Sequence, residues 1–150
     1  MQDLFDKGDA MAIAEAVRQG EVTARQVVEF ALARIDERNP ALNAVVARRD
    51  DAALAEVDAG LPSGPLTGVP IVIKDLGATV AGMPSTNGSR LFADAIATED
   101  SEMVARYRRA GAVVVGMSNT PELGRNGSTE SKLLGAARNP HRLTHSTGGS

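Results

Sequence analysis

Residues 64–75 constrain the fold more than any other part of the chain. Within them, residues 69–73 form an apolar, β-branched run that favours a strand, and Pro70 suits the first residues or an edge of a strand. Because apolar residues occupy both alternating faces, we predict a strand buried on both sides, as in an α/β sheet. The run ends at Lys74, whose amine can reach solvent, pair with an acid such as Asp75, or lose its charge. An uncharged lysine is a general base.

Composition limits the protein classes that remain. The chain of 150 residues is long enough for one domain with a core, and its 43% hydrophobic and 23% charged residues are ordinary for a globular protein. The net charge of −3 does not indicate a nucleic-acid or anionic-membrane surface. The sequence has no cysteine, which excludes disulfides, thiolate metal sites and a cysteine nucleophile within it. Since no secretion signal or long apolar stretch is evident, we expect a cytoplasmic protein with no membrane segment.

The first part of the chain is predicted to be helical. Asp9 is a plausible N-cap of a helix that runs to Arg18, with Gly20 just beyond its end. Residues 23–26 form a capping box that opens a second helix, which we expect to end within residues 37–40 because of the proline there.

Further elements alternate between strand and helix. Residues 42–46 are a short strand candidate, and residues 50–57 are predicted to be an alanine-rich helix. Residues 77–89 are rich in glycine, serine and threonine, which is typical of a loop. In α/β proteins such a loop beyond a buried strand often carries function, although an ordinary surface connection has the same composition.

A second strand is predicted after another helix. Asp100 can cap a helix running to residue 109, with Met103, Val104 and Tyr107 facing inward, and residues 112–116 form a buried strand. Two strands joined by a crossover that contains a helix favour parallel pairing. The sequence therefore predicts an α/β fold.

The remainder of the chain, from residue 117 onward, has a polar, loop-like composition. Thr120 looks like an N-cap with Pro121 at the first helical position, and residues 139–140 predict a turn. The chain ends within a small-residue loop at residues 147–150, which suggests a polypeptide that has been cut.

Several familiar sites can be excluded from the sequence. It contains no P-loop, no dinucleotide-binding glycine fingerprint and no glycine-rich hairpin before Lys74 of the kind that protein kinases have. His141 and His145 lack the glutamate of a zinc-protease motif, so we predict no metal site and no cofactor. A lysine base needs a hydroxyl to act on, and Ser–Lys pairs are known nucleophilic systems, so Ser150 is a candidate partner of Lys74.

Five ordered blocks stand out along the chain. They are Gly68-Val-Pro-Ile-Val-Ile-Lys-Asp75, Ala81-Gly-Met-Pro-Ser-Thr-Asn-Gly-Ser89, Gly111-Ala-Val-Val-Val-Gly-Met-Ser-Asn-Thr-Pro-Glu122, Gly135-Ala-Ala-Arg-Asn-Pro140 and Gly148-Gly-Ser150. These blocks resemble the amidase signature family, and the resemblance covers nearly the whole sequence.

This resemblance implies a mixed β-sheet core covered by helices, and hydrolysis of a small-molecule carboxylic amide by a Ser–cis-Ser–Lys triad. Lys74 then matches the catalytic lysine, and Ser150 matches the bridging serine that follows a cis peptide. Residues 124–126, beginning with Gly124, are expected to line the acyl side of the substrate pocket. The family's nucleophilic serine and oxyanion donors lie beyond residue 150, so we expect the 150-residue chain alone to be inactive. Within one amidase domain, residues 1–60 form a helical region and residues 61–150 the start of the catalytic core.

Two other functions remain open at this point. The same motifs are found in the A subunit of tRNA-dependent amidotransferases, which is a glutaminase that passes ammonia to a partner enzyme. A binding or structural module could also keep the fold without the chemistry. Association into a homo-oligomer is a further open alternative.

Overall fold

The computed structural model describes residues 1–149 and contains helices, a mixed sheet and two hairpins. Helices α1 (Gln2–Lys7), α2 (Ala10–Arg18) and α3 (Ala24–Leu42) come first, followed by strand β1 (Val45–Arg48) and helix α4 (Asp50–Ala59). Strand β2 (Pro70–Lys74), helix α5 (Glu102–Arg109) and strand β3 (Val113–Ser118) follow. The short strands β4 (Glu130–Ser131), β5 (Gly135–Ala136), β6 (Arg138–Asn139) and β7 (Arg142–Ser146) complete the described chain.

Strand β3 is the centre of a three-stranded sheet with the order β1-β3-β2. It pairs in parallel with β2, and the register joins Lys74 to Ser118 at the end of both strands. It pairs antiparallel with β1. The predicted α/β class, the mixed sheet and the parallel pairing of the two longer strands are therefore confirmed.

Both faces of β3 are covered by packed side chains, and irregular register in its pairing with β1 and β2 breaks the simple alternation of faces along the strand. Val113 and Val115 pack with Val28 and Leu32 of α3 and with Ala53 of α4. The opposite face carries Val114 and Met117, which pack with side chains of β2, α5 and the loop after β2, namely Ile73, Ala78, Val80, Met83 and Val104. Burying a Val- or Met-sized side chain contributes about 1.5–3 kcal/mol, so these two clusters fix the sheet between the helices.

Local capping signals predict the starts of α2 and α3. The Asp9 carboxylate accepts a hydrogen bond from the Ala12 amide at 2.9 Å and caps α2. At the start of α3, the reciprocal capping box between Thr23 and Gln26 is present. These contacts involve residues only three apart, which is why the sequence alone is sufficient.

Helix α3 does not end within residues 37–40, as the sequence predicts, but continues past Pro40 to Leu42. The end of the helix is set by Asn39 and not by Pro40. The side-chain oxygen of Asn39 accepts hydrogen bonds from the amides of Ala44 and Val45, each at 2.8 Å. Asn43 then adopts a left-handed conformation with φ of 49° and closes the helix. As a result β1 begins three residues later than the predicted strand.

The burial of β2 and α5 also differs from the prediction. Val72 is 43% exposed because β2 lies at the edge of the described sheet, so the strand buried on both sides is β3 rather than β2. In α5 the buried residue is Val104, whereas Met103 and Tyr107 are 48% and 38% exposed. A helix of eight residues on one side of the sheet buries only a narrow stripe.

The polar segment after β3 is more ordered than its composition predicts. Strands β4 and β5 form one antiparallel hairpin, and β6 and β7 form another around the turn that follows Asn139. Thr120 does not cap a helix. It is fully buried, Pro121 has an extended backbone, and only a 3-10 turn at Glu122–Gly124 follows. The turn predicted at residues 139–140 is confirmed.

A partly buried ion network joins α4 and α5. Glu56 accepts hydrogen bonds from Arg49 at 2.6 Å and from Arg108 at 2.7 Å. Burial by itself raises the pKa of the Glu56 carboxyl, but the hydrogen bonds and positive charges of both arginines outweigh it and hold the pKa below its usual value. Arg108 also donates to Asp100, which accepts from the Ala81 amide at 2.8 Å instead of capping α5 as predicted. The network thus fastens the loop after β2 to the helices.

No helix within residues 1–149 combines the length and the apolar character that a membrane crossing requires.

Candidate active site

Lys74 is the last residue of β2 and is half-buried. Its Cα is paired with that of Ser118 across the parallel ladder, at a spacing of about 4.8 Å for neighbouring strands. Ile73, just before it, is buried in the core and fixes the end of the strand. Among residues 1–149, no hydrogen bond or ion pair engages the Lys74 amine. The strand therefore places a single amine at the carboxyl end of the sheet, where α/β folds build their sites.

Asp75 does not form an ion pair with Lys74, although the sequence offers it as a partner for the lysine. Its side chain is 2% exposed and faces the loop that follows β2. One carboxylate oxygen accepts from the Thr86 amide at 2.8 Å and from the Asn87 amide at 3.3 Å, and the other accepts from the Thr86 hydroxyl. Sequence reasoning missed this role because the partners lie eleven and twelve residues away and carry no local signal. The carboxylate folds the loop back against the end of β2.

The folded loop also contacts the segment after β3. The carbonyl of Asn87 accepts from the Leu123 amide at 2.8 Å, and the Ser89 hydroxyl donates to Glu122 at 2.7 Å. Gly88 lies so close to this segment that a Cβ there would be 2.9 Å from the Thr120 carbonyl oxygen. These three contacts hold the loop after β2 against residues 119–124. Together the two segments form one wall of the candidate site.

Gly124, predicted to bind substrate, ends the 3-10 turn of this wall. Its φ is +66°, and its amide donates to the Pro121 carbonyl at 3.0 Å. Leu123 beside it has φ of 53°, a left-handed conformation that is unusual for a residue other than glycine or asparagine, and its side chain is 45% exposed. Gly124 thus lies on the same wall as the contacts above, within six residues of the strand position paired with Lys74.

The end of the described chain returns to the same wall. The Thr129 hydroxyl donates to the Gly148 carbonyl at 2.7 Å. A Cβ on Gly149 would be 2.9 Å from both the Asn126 carbonyl oxygen and the Pro121 ring. Ser150, the predicted partner of Lys74, lies outside the described residues, but the residue before it is packed on Pro121, three positions after Ser118.

The two histidines are not part of this site. His141 occupies the turn between β6 and β7, and His145 lies in β7, which is largely exposed. Within residues 1–149, no cluster of three or more histidine, aspartate or glutamate side chains has the arrangement of a metal site.

Comparison with known proteins identifies this architecture. A family model described as Amidase matches residues 26–150. The chain is 40% identical over 148 residues to an acylamidase of Rhodococcus erythropolis, a match that covers 94% of this chain and 31% of that protein. It is also 40% identical over 144 residues to the A subunit of the glutamyl-tRNA(Gln) amidotransferase of Alkalilimnicola ehrlichii, covering 92% of this chain and 30% of that protein.

A solved structure, 6-aminohexanoate cyclic dimer hydrolase complexed with substrate, superposes with a TM-score of 0.89 at 38% identity and covers 95% of this chain and 30% of that one. The chain thus spans about a third or less of the length of these relatives. Since the family model covers well over half of the sequence, this chain belongs to the amidase signature family.

Proposed function

We propose that this chain is the N-terminal part of an enzyme that hydrolyses a small-molecule carboxylic amide to an acid and ammonia or an amine. The observation that carries the proposal is the convergence on residues 118–121. Lys74 pairs with Ser118 at one end of this segment, and Gly149, which precedes Ser150, packs on Pro121 at the other. Three residues span at most about 11 Å, so the lysine and the last glycines approach the same small region.

In the proposed mechanism, Lys74 acts as the base and Ser150 relays the proton. The uncharged Lys74 amine takes a proton from the Ser150 hydroxyl, which takes one from a nucleophilic serine beyond residue 150. The nucleophile forms an ester with the acyl group of the substrate, and Ser150 returns a proton to the leaving amine. Water then cleaves the ester and releases the acid. Residues 124–126 line the acyl side of the pocket on the neighbouring wall.

Substitution of Lys74 in the full-length protein tests this proposal. Because a positioned general base contributes about 10²–10⁴-fold, Lys74→Ala should lower kcat for ammonia release from simple amides by that factor. Lys132→Ala is the matched control, since Lys132 is exposed in the β4–β5 hairpin. Equal activities of the two variants would contradict the assignment and favour a module without this chemistry.

Chain length provides a further test of the triad. With the nucleophile beyond residue 150, the 150-residue chain should release no ammonia under conditions where the full-length protein does. Activity of the short chain would refute the position proposed for the nucleophile.

The similarity to the A subunit of an amidotransferase supports a second candidate, a glutaminase that supplies ammonia to a partner enzyme. Such a protein should co-purify with its partner and show weak activity alone. A free amidase should act without a partner, as a cytoplasmic protein that is either monomeric or a homo-oligomer. Affinity purification from the source organism, followed by the amide assay, distinguishes the two.

A further inference from the structure

Two Asn–Gly dipeptides, at residues 87–88 and 126–127, share a chemical liability but differ in structure. The amide nitrogen that follows an asparagine can attack the side-chain carbonyl carbon, and a following glycine offers no Cβ to hinder the attack. The reaction requires a mobile side chain and a following amide that is not held elsewhere.

Asn87 meets neither requirement. Its side-chain oxygen accepts from the Gly77 amide at 3.1 Å, and its own amide donates to Asp75 at 3.3 Å. The attacking group would be the amide of Gly88, which is buried and donates to the Thr86 hydroxyl at 3.1 Å. Reaction at Asn87 therefore requires the loop after β2 to open.

Asn126 has the opposite environment. Asn126 and Gly127 are both exposed, and no hydrogen bond of the Asn126 side chain or of the Gly127 amide is found within residues 1–149. A Cβ built on Gly127 would meet no atom within 4 Å. Within the described residues, the Asn126 side chain can therefore rotate towards the following nitrogen.

We propose that Asn126 is a site of spontaneous deamidation and isoaspartate formation, whereas Asn87 is protected by the fold. The Gly127 nitrogen loses its proton to solvent and bonds to Cγ of Asn126, the Cγ–Nδ2 bond breaks, and ammonia leaves with a proton. Water then opens the resulting succinimide at either carbonyl. The products are aspartate, or isoaspartate with the main chain running through the former side chain, and the net change is replacement of the amide by a carboxylate.

The modification changes the packing of the last described residue. The Asn126 carbonyl oxygen and the Pro121 ring are each 2.9 Å from the Cβ position of Gly149. Isoaspartate inserts one carbon into the main chain at this contact and adds a negative charge beside it. Deamidation of Asn126 does not depend on the amidase activity.

Peptide mapping tests the proposal directly. The chain is aged at mildly alkaline pH, both in native buffer and in urea, and digested with trypsin, which releases residues 126–132 and 75–90 as separate peptides. Mass spectrometry with chromatographic separation then quantifies aspartate and isoaspartate at each site. The rate in urea gives the intrinsic reactivity of each dipeptide, so only the ratio of native to unfolded rates is compared.

We expect Asn126 to react at nearly the same rate in both conditions. Asn87 should react about tenfold or more slowly in native buffer, because buried hydrogen bonds must break first. Gly127→Ala should slow Asn126 severalfold without affecting the fold, since its Cβ enters open space and its backbone φ is not in the left-handed region. Equal protection of both sites, protection of neither, or no effect of Gly127→Ala on the Asn126 rate would overturn the proposal.

Discussion

Replacing Asp75 by alanine or by asparagine separates the hydrogen-bond acceptor role of this carboxylate from its charge. The side chain accepts from two backbone amides through one oxygen and from the Thr86 hydroxyl through the other. Alanine leaves three donors without an acceptor at a site that is 2% exposed. Since a hydrogen bond to a charged group contributes about 1.5–3 kcal/mol and water can enter part of the gap, we expect Asp75→Ala to cost about 3–5 kcal/mol.

Asparagine has nearly the same shape and can keep its oxygen towards the two amides. Its NH₂ group then faces the Thr86 hydroxyl, which can rotate to accept instead of donate. Only the contribution of the charge is lost, so Asp75→Asn should cost about 1–2 kcal/mol. With an m value of about 2 kcal/mol/M in urea, the midpoint of unfolding should fall by about 2 M for alanine and by less than about 1 M for asparagine.

Urea unfolding followed by circular dichroism measures both shifts, with Lys74→Ala as the control. This lysine makes no hydrogen bond to Asp75, so its removal should not reproduce the loss seen with asparagine. If asparagine and alanine lowered the midpoint equally, and Lys74→Ala did the same, the carboxylate would be acting as the counter-ion of Lys74. The role assigned to Asp75 in folding the loop would then be wrong.

Two further predictions concern the same region and the ion network. Gly88→Ala should destabilise the protein by about 2–5 kcal/mol, because the new Cβ adds a close contact with Thr120 to the strain of a left-handed backbone. Gly77→Ala is the control: its φ is +71° but the space around it is open, so it should cost only the strain, about 1–2 kcal/mol. Equal losses of stability in urea unfolding would show that the Gly88 contact is unimportant. Because the pKa of Glu56 is lowered in the folded state, its ion pairs should stabilise the protein above about pH 4.3, the value for an unfolded glutamate, and this contribution should disappear as pH falls through the lowered pKa. Glu56→Gln should therefore weaken the dependence of the free energy of unfolding on pH at acid pH. Glu102→Gln is the control and should have a smaller effect, because the arginine pairs of Glu102 are exposed and screened by solvent. Equal effects of the two substitutions would contradict this prediction.

Local signals predict much of this fold, and non-local contacts account for what they miss. The caps at Asp9 and Thr23 depend on neighbours within one turn, and both are predicted correctly. By contrast, the end of α3 depends on Asn39 reaching the start of β1, so Pro40 is a misleading signal. The burial of Val72 depends on the order of the strands, which a single apolar run cannot reveal.

The candidate site is partly predictable for the same reason. A lysine at the end of an apolar run marks a strand end, and β2 does end at Lys74. The function of Asp75 is not predictable, because its donors belong to a loop whose path is set by tertiary contacts. The amides of Thr86 and Asn87 become its partners only after the loop turns back.

The central place of β3 has a consequence for how the protein is made. Strands β1 and β2 do not pair with each other. Each pairs with β3, which lies far downstream in the sequence. At a synthesis rate of about 5–20 residues per second, β1 leaves the ribosome several seconds before β3 does. During that interval the first helices present apolar side chains with no sheet to cover them, and such exposed surface is prone to aggregation.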